Sequence, residues 1–83
     1  MKPYFYVYVL RSLRDFDFYV GYTIDLFNRL ENHQKGRVAS TKNRLPIELV
    51  YWEGCLNQKD ALKREKYLKT SWGKRYIKNY LTG

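Results

Sequence analysis

Tyr4-Phe5-Tyr6-Val7-Tyr8-Val9-Leu10 alternates strictly, with Phe5, Val7 and Val9 on one side and Tyr4, Tyr6 and Tyr8 on the other. That period of two predicts a strand with an aliphatic face and a tyrosine face. A polar turn, Ser12 to Asp15, leads into a second run, Phe16 to Thr23, in which Phe18 and Val20 share one face and Tyr19 and Gly21 the other. Two adjacent runs with a short polar joint read as a hairpin, which would put Tyr8 and Tyr19 on the same tyrosine face of one sheet. Gly21 would then permit a close backbone approach or an unusual dihedral just ahead of a helix.

Downstream, the pattern changes from period two to helical period. Asp25 suits an N-cap for a helix over Leu26 to Gln34, with Leu26, Phe27 and Leu30 facing inward. Arg29 and His33, four apart, are neighbours on one side of it. Gly36 is a helix stop, and Lys35, Arg37, Lys42 and Arg44 make the following segment a basic loop. Pro46 opens a third strand, Ile47 to Trp52, rich in β-formers. Asn57 to Lys69 reads as a helix with Asn57 as N-cap and Asp60 in its first turn. A last helix, capped by Ser71, runs through Trp72, Tyr76, Ile77, Tyr80 and Leu81, with Lys74, Arg75 and Lys78 on its outer side. The order β-β-α-β-α-α predicts a single α+β domain over residues 1–83, a small three-stranded sheet, mixed or antiparallel, flanked by three helices.

Glu65 stands out within the second of these helices. Ala61, Leu62 and Leu68 form its inward stripe, and Glu65 falls in the middle of that stripe. Lys59, Lys63, Arg64, Lys66 and Lys69 occupy the other faces. A carboxylate near a core edge is costly unless it is paired or holds a metal. The residue is therefore either a salt-bridged or snorkelling side chain or part of a site. Trp52 and Trp72 are expected in the core or at its rim.

Bulk properties narrow the function classes. The chain has 83 residues, 16 Lys and Arg against eight Asp and Glu, a formal charge of +8 and a pI near 9.7. This balance points to a polyanionic partner, nucleic acid first. A membrane surface fits less well, since the cations are not gathered on one amphipathic helix. No stretch resembles a transmembrane span or a signal peptide; Met1-Lys2-Pro3 runs directly into strand-like sequence. A single cysteine, Cys55, suits a reducing cytosol, so a cytoplasmic location is expected.

Taken together, Tyr6-Val7-Tyr8, Tyr19-Val20-Gly21, Arg29, His33 and Glu65 resemble the GIY-YIG nuclease domain over nearly the whole chain. Tyr8 matches the tyrosine closing the first motif, Tyr19 and Gly21 match the ends of the second, and Arg29 follows Gly21 at the family's spacing. Glu65, in Ala61-Leu62-Lys63-Arg64-Glu65-Lys66, resembles the family's metal-binding glutamate, and Asn79 resembles an asparagine near the end of many such domains. The chain is most similar to small single-domain bacterial members, which themselves resemble the nuclease half of the excision-repair incision protein. It departs from the pattern in having Tyr6 in place of the first Gly, Val7 and Val20 in place of Ile, and Tyr22 where some relatives carry a lysine. His33 stands where the repair enzymes carry a tyrosine.

The resemblance implies a metal-dependent endonuclease acting on DNA, in repair or recombination, and leaving a 5′-phosphate and a 3′-hydroxyl. Its residues are Tyr8, Tyr19, Arg29, His33 and Glu65. Glu65 would hold one Mg²⁺ or Mn²⁺ ion and no small-molecule cofactor would be needed. The chemistry agrees: phosphodiester hydrolysis needs an activated water, stabilisation of phosphoryl charge and help for the leaving oxygen. Arg29 offers a planar fork to a phosphate, and Tyr8, Tyr19 and His33 are groups able to orient a water or take its proton. Lys35, Arg37, Lys42, Arg44 and Asn79 are the candidate nucleic-acid contacts. The rival reading is a nucleic-acid-binding module with the same fold that cuts nothing; a third is a protein-interaction domain whose basic surface serves solubility.

Overall fold

In the computed structural model, which describes residues 4–82, the alternating run becomes the central strand of a three-stranded antiparallel sheet. The elements are β1 (Phe5–Ser12), β2 (Phe18–Thr23), α1 (Leu26–Gln34), β3 (Ile47–Cys55), α2 (Gln58–Leu68) and α3 (Ser71–Thr82), with a single 3-10 turn at Lys42–Arg44. The sheet order is β2-β1-β3, so the expected β-β-α-β-α-α fold is observed with every strand pair antiparallel. Met1-Lys2-Pro3 and Gly83 lie outside the described residues.

Because β1 is central, both its faces are covered. Val7, Val9 and Val20 pack with Ala61, Leu68 and Ile77 under α2 and α3, while Tyr8, Leu10 and Ile47 pack with Leu26 and Leu30 of α1. Val7 through Leu10 are therefore buried without interruption, and the tyrosine face is interior at Tyr8. In β3, Val9 pairs with Tyr51 but Leu10 with Leu49, so Val50 is the extra residue of a bulge.

Several expectations are corrected. β2 begins at Phe18, because Phe16 belongs to the turn: Ser12 N–H donates to Asp17 O at 3.0 Å and Phe16 N–H to Ser12 O at 2.8 Å. Phe16 takes a φ of 60°, a left-handed conformation unusual for a bulky side chain. β3 runs on to Cys55. Phe27 is 86% exposed; the inward line of α1 is the partly buried Leu26 and Leu30 with the buried His33, spaced i, i+4, i+7, and Phe27 falls one residue off it. For the same reason Leu62, 44% exposed, leaves the stripe of α2, which is Ala61, Glu65 and Leu68. Thr70 rather than Ser71 caps α3, its Oγ1 accepting from Gly73 N–H at 3.1 Å. Trp52 and Trp72 are both exposed, the latter under the Arg75 guanidinium at 5.1 Å. Tyr76 and Tyr80 stack edge-on against Tyr51 at 5.9 and 5.1 Å instead of entering the core.

Other expectations hold. Asp25 caps α1 by accepting from Asn28 N–H, and Asn57 caps α2 by accepting from Asp60 N–H. Gly36, at φ 74°, ends α1. Gly36 N–H donates to His33 O at 3.1 Å and Arg37 N–H to Asn32 O at 2.9 Å, the paired bonds of a Schellman stop.

Gly73 sets how closely α3 can approach α2. A Cβ there would collide with Tyr67 O and the Leu68 backbone, which cannot swing away as a side chain can. Gly73→Ala is expected to cost about 1–3 kcal/mol, the usual range for overpacking, measured by urea unfolding. An unchanged midpoint would mean that the two helices are free to separate there.

Candidate active site

Tyr8 lies on β1 directly opposite Gly21 of β2, and its ring occupies the space that a side chain at 21 would fill. A Cβ on Gly21 would collide with Tyr8 Cζ and Oη, so the glycine serves close approach and not a turn. The Tyr8 hydroxyl is thereby carried across β2 to α1. There it meets His33 Nε2 at 2.9 Å and accepts from Arg29 Nε–H at 3.3 Å. On the far side of the imidazole, Nδ1 meets Thr41 Oγ1 at 2.7 Å. Tyr19 closes the cluster, its ring edge-on to His33 at 5.2 Å and tilted against Tyr8 at 6.4 Å. Tyr8, His33 and Thr41 are almost fully buried.

The hydrogen bonds form a chain that can point one way without a clash of donors. Arg29 cannot accept, so the Tyr8 oxygen accepts from it. Tyr8 O–H then donates to His33 Nε2, leaving Nδ1–H to donate to Thr41 Oγ1. Neutral imidazole fits this arrangement. Burial, followed by the nearby Arg29 charge, lowers the His33 pKa to about 4, in place of the ordinary value near 6.5 expected from sequence. Tyr8 is pushed up, chiefly by burial; Arg29 opposes that rise, and the charges of Tyr19 and Glu65 add to it. Arg29 itself is raised, mainly by its bond to the Tyr8 oxygen.

Glu65 approaches from α2. Its side chain is 21% exposed and meets the half-exposed Lys69 at 3.2 Å, a solvent-side pairing that holds it weakly. Its charge acts on Tyr8, yet no hydrogen bond joins it to the cluster among the described residues. Nor do three His, Cys, Asp or Glu side chains converge anywhere among those residues. A closed, zinc-type site does not fit that donor set. Mg²⁺ or Mn²⁺ does fit, since such ions commonly bind through one or two carboxylates and keep waters that substrate phosphates replace.

The expected nucleic-acid contacts are scattered. Lys35 pairs with Glu31 at 3.0 Å and Arg37 donates to Asn32 Oδ1 at 3.3 Å. Arg44 is held by Asp15 and Asp17, each at 3.0 Å, and so ties the 3-10 turn to the β1–β2 turn. Lys42 is exposed beside Thr41. Asn79 is exposed on α3, and among the described residues no hydrogen bond links it to the cluster. Thr41 was not foreseen, because in Ala39-Ser40-Thr41-Lys42 nothing separates it from Ser40. It is placed by the turn, where Arg44 N–H donates to Thr41 O and buried Ser12 donates to Arg44 O.

A family model for the GIY-YIG catalytic domain matches residues 4–80. The chain belongs to the GIY-YIG family. It is 50% identical over 66 residues to a UPF0213 protein of Pediococcus pentosaceus, covering 78% of this chain and 68% of that one. With a UPF0213 protein of Streptococcus pneumoniae it shares 42% over 65 residues, or 77% of this chain and 65% of the relative. The chain thus spans about two thirds of the length of these relatives. The solution structure of a UPF0213 protein from Bacillus halodurans is similar at a TM-score of 0.58 and 28% identity, over 93% of this chain and 84% of the other. Among the described residues no helix is long and apolar enough to cross a membrane.

His33 makes a stability test of this GIY-YIG cluster. Its folded pKa is depressed, so between pH 6.5 and about 4 the unfolded chain binds a proton that the folded chain refuses. The fold is therefore expected to lose a few kcal/mol as pH falls through that window, at about 1.4 kcal/mol per pK unit. The paired carboxylates, whose pKa values are lowered, lose their contribution as pH falls through their ordinary values, Glu53 from about 4.5 at the acid end of that window and Asp15 and Asp17 from about 3.8 below it. Urea unfolding of His33→Gln should show lower stability at pH 7 but a flattened slope in that window. An unchanged slope would place the imidazole in water.

Proposed function

We propose that the chain is a metal-dependent endonuclease that hydrolyses DNA phosphodiester bonds. The observation that carries the reading is the chain of hydrogen bonds from Arg29 through Tyr8 and His33 to Thr41. A buried phenol is a poor base by itself. Here its oxygen receives a cationic donor while its proton faces a neutral imidazole, so it can take a proton from water as it gives its own to His33 Nε2. Thr41 accepts from Nδ1–H and fixes the tautomer in which Nε2 is free. Arg29 stabilises the phenolate character that develops and turns its remaining N–H groups to a phosphate oxygen. Tyr19 packs the imidazole in place and narrows the water's approach. Glu65 would hold the Mg²⁺ or Mn²⁺ ion, which when bound neutralises phosphoryl charge and helps the leaving oxygen depart.

Plasmid nicking with Mg²⁺, Mn²⁺ or EDTA tests the reading. Tyr8→Phe is expected to lower cleavage by roughly 10²-fold or more, within the range of general-base groups. The plot of kcat/KM against pH should fall toward an inflection near 4, the His33 value, with no break near 6.5. Glu65→Gln should abolish cleavage and the rise in melting temperature that Mg²⁺ gives the wild type by linkage. Its metal-free melting temperature should be unchanged or higher, because Glu65 has only a surface pairing to lose. DNA binding without nicking under every metal condition would make the chain a binding module. A Glu65→Gln protein that melts much earlier and still cuts would make the glutamate structural.

A further inference from the structure

Lys74, Arg75 and Lys78 have no ion-pair partner among the described residues and line one groove together. The groove, of about 540 Å³, runs between the start of β2 and α3, with Arg11, Phe16 and Asp17 on one wall and Lys74, Arg75 and Lys78 on the other. Lys74 and Lys78 are exposed, four apart on one helix, and α3 carries no acidic residue to offset them. Like charges at that spacing repel. The one carboxylate in the groove, Asp17, is occupied by Arg44 at 3.0 Å and by Phe18 N–H at 2.9 Å. Arg11 reaches in from β1. It gives one N–H to Glu48 at 3.0 Å, while its buried Nε has no partner.

The other wall is aromatic. Phe18 packs at the edge of the core, but Phe16 is 63% exposed and sits at φ 60°. A turn position of that kind ordinarily takes Gly or Asn, so Phe16 accepts backbone strain and gains little burial in return. The ring meets the Arg11 guanidinium, which lies over it at 6.0 Å, and the rest of it stays open beside a cationic groove, where it presents a ring to a ligand. Phosphates on lysine and arginine with a base against an exposed ring is the chemistry by which single-stranded nucleic acid is held.

We propose that this groove binds a segment of single-stranded nucleic acid, with phosphates on Lys74, Lys78 and Arg75 and an unpaired base against Phe16. Duplex is disfavoured because its bases are stacked away from the ring. The groove and the reactive cluster lie back to back across β2, an edge strand: consecutive Phe18 and Tyr19 face the one and the other. A strand in the groove therefore does not occupy the cluster, and the site stands whether or not the chain cuts.

The test is fluorescence anisotropy with a labelled 12-nucleotide oligo(dT), the same length of duplex, and an abasic phosphodiester oligomer, all in EDTA so that cleavage does not intervene. Oligo(dT) should bind more tightly than duplex and with steep salt dependence. Lys74→Glu with Lys78→Glu should weaken it tenfold or more. Phe16→Gly, which relaxes the left-handed turn, should keep or raise the melting temperature, weaken oligo(dT) severalfold and leave the abasic oligomer unaffected. In a Trp52→Phe background, Trp72, stacked under Arg75 beside the groove, should change its emission on titration with oligo(dT). The proposal fails if both variants melt normally and bind oligo(dT) like the wild type, or if only Arg29→Ala loses binding. Nicking of plasmid is scored separately: groove binding without cutting removes the nuclease reading alone, and cutting with affinity indifferent to the groove removes this one alone.

Discussion

The structure depends on a phenol hydroxyl buried in the middle of a sheet. Tyr8 stands on the central strand, and its Oη would be costly there without partners. Gly21 gives the ring its space, Arg29 and His33 satisfy the oxygen, and Thr41 satisfies the far side of His33. The partners come from three other segments, so one buried oxygen fixes β1, β2, α1 and the turn after α1 relative to one another.

That requirement shapes the loops as well. The segment from Lys35 to Arg44 is basic enough to read as a soluble surface, yet it is bound to the rest of the fold. A glycine stop ends α1 just past His33, Arg44 spans to Asp15 and Asp17, and Ser12 grips Arg44 O. Two ion pairs with partly exposed side chains contribute little individually, but they hold Thr41 at hydrogen-bonding distance from the imidazole. The β1–β2 turn, with Phe16 strained at its tip, serves both this loop and the cationic groove on the opposite face.

Charge is sorted between the two faces in consequence. On the tyrosine face the cation nearest the cluster, Arg29, is engaged by phenol oxygen and its neighbour His33 is kept neutral by burial. On α3 the lysines have no acid within their helix. A chain of +8 thus keeps most of its cations for solvent or a polyanion and admits few near its buried polar chain.

Much of this was determined by the sequence alone. The period-two run fixed β1 and its two faces, Asp25 and Asn57 fixed the starts of α1 and α2, and Gly36 fixed the end of α1, because each of these signals is local. Register and helical period by themselves paired Tyr8 with Tyr19 and Arg29 with His33, whereas the resemblance to the GIY-YIG domain joined these pairs with Glu65 into one candidate cluster. Tertiary structure decided the rest. Phe27 and Leu62 are as apolar as their neighbours, and only the angle at which α1 and α2 cross the sheet leaves them outside. Thr41 has no signal in its own segment, since its partner is eight residues away and is reached through a turn held by Asp15 and Asp17. The shift of His33 to about 4 likewise depends on burial, which no neighbour in sequence reports. Lys74 and Lys78 read as an ordinary solvated helix face until the fold sets Arg11 and Phe16 across from them, because a groove has two walls and the chain places them some 60 residues apart.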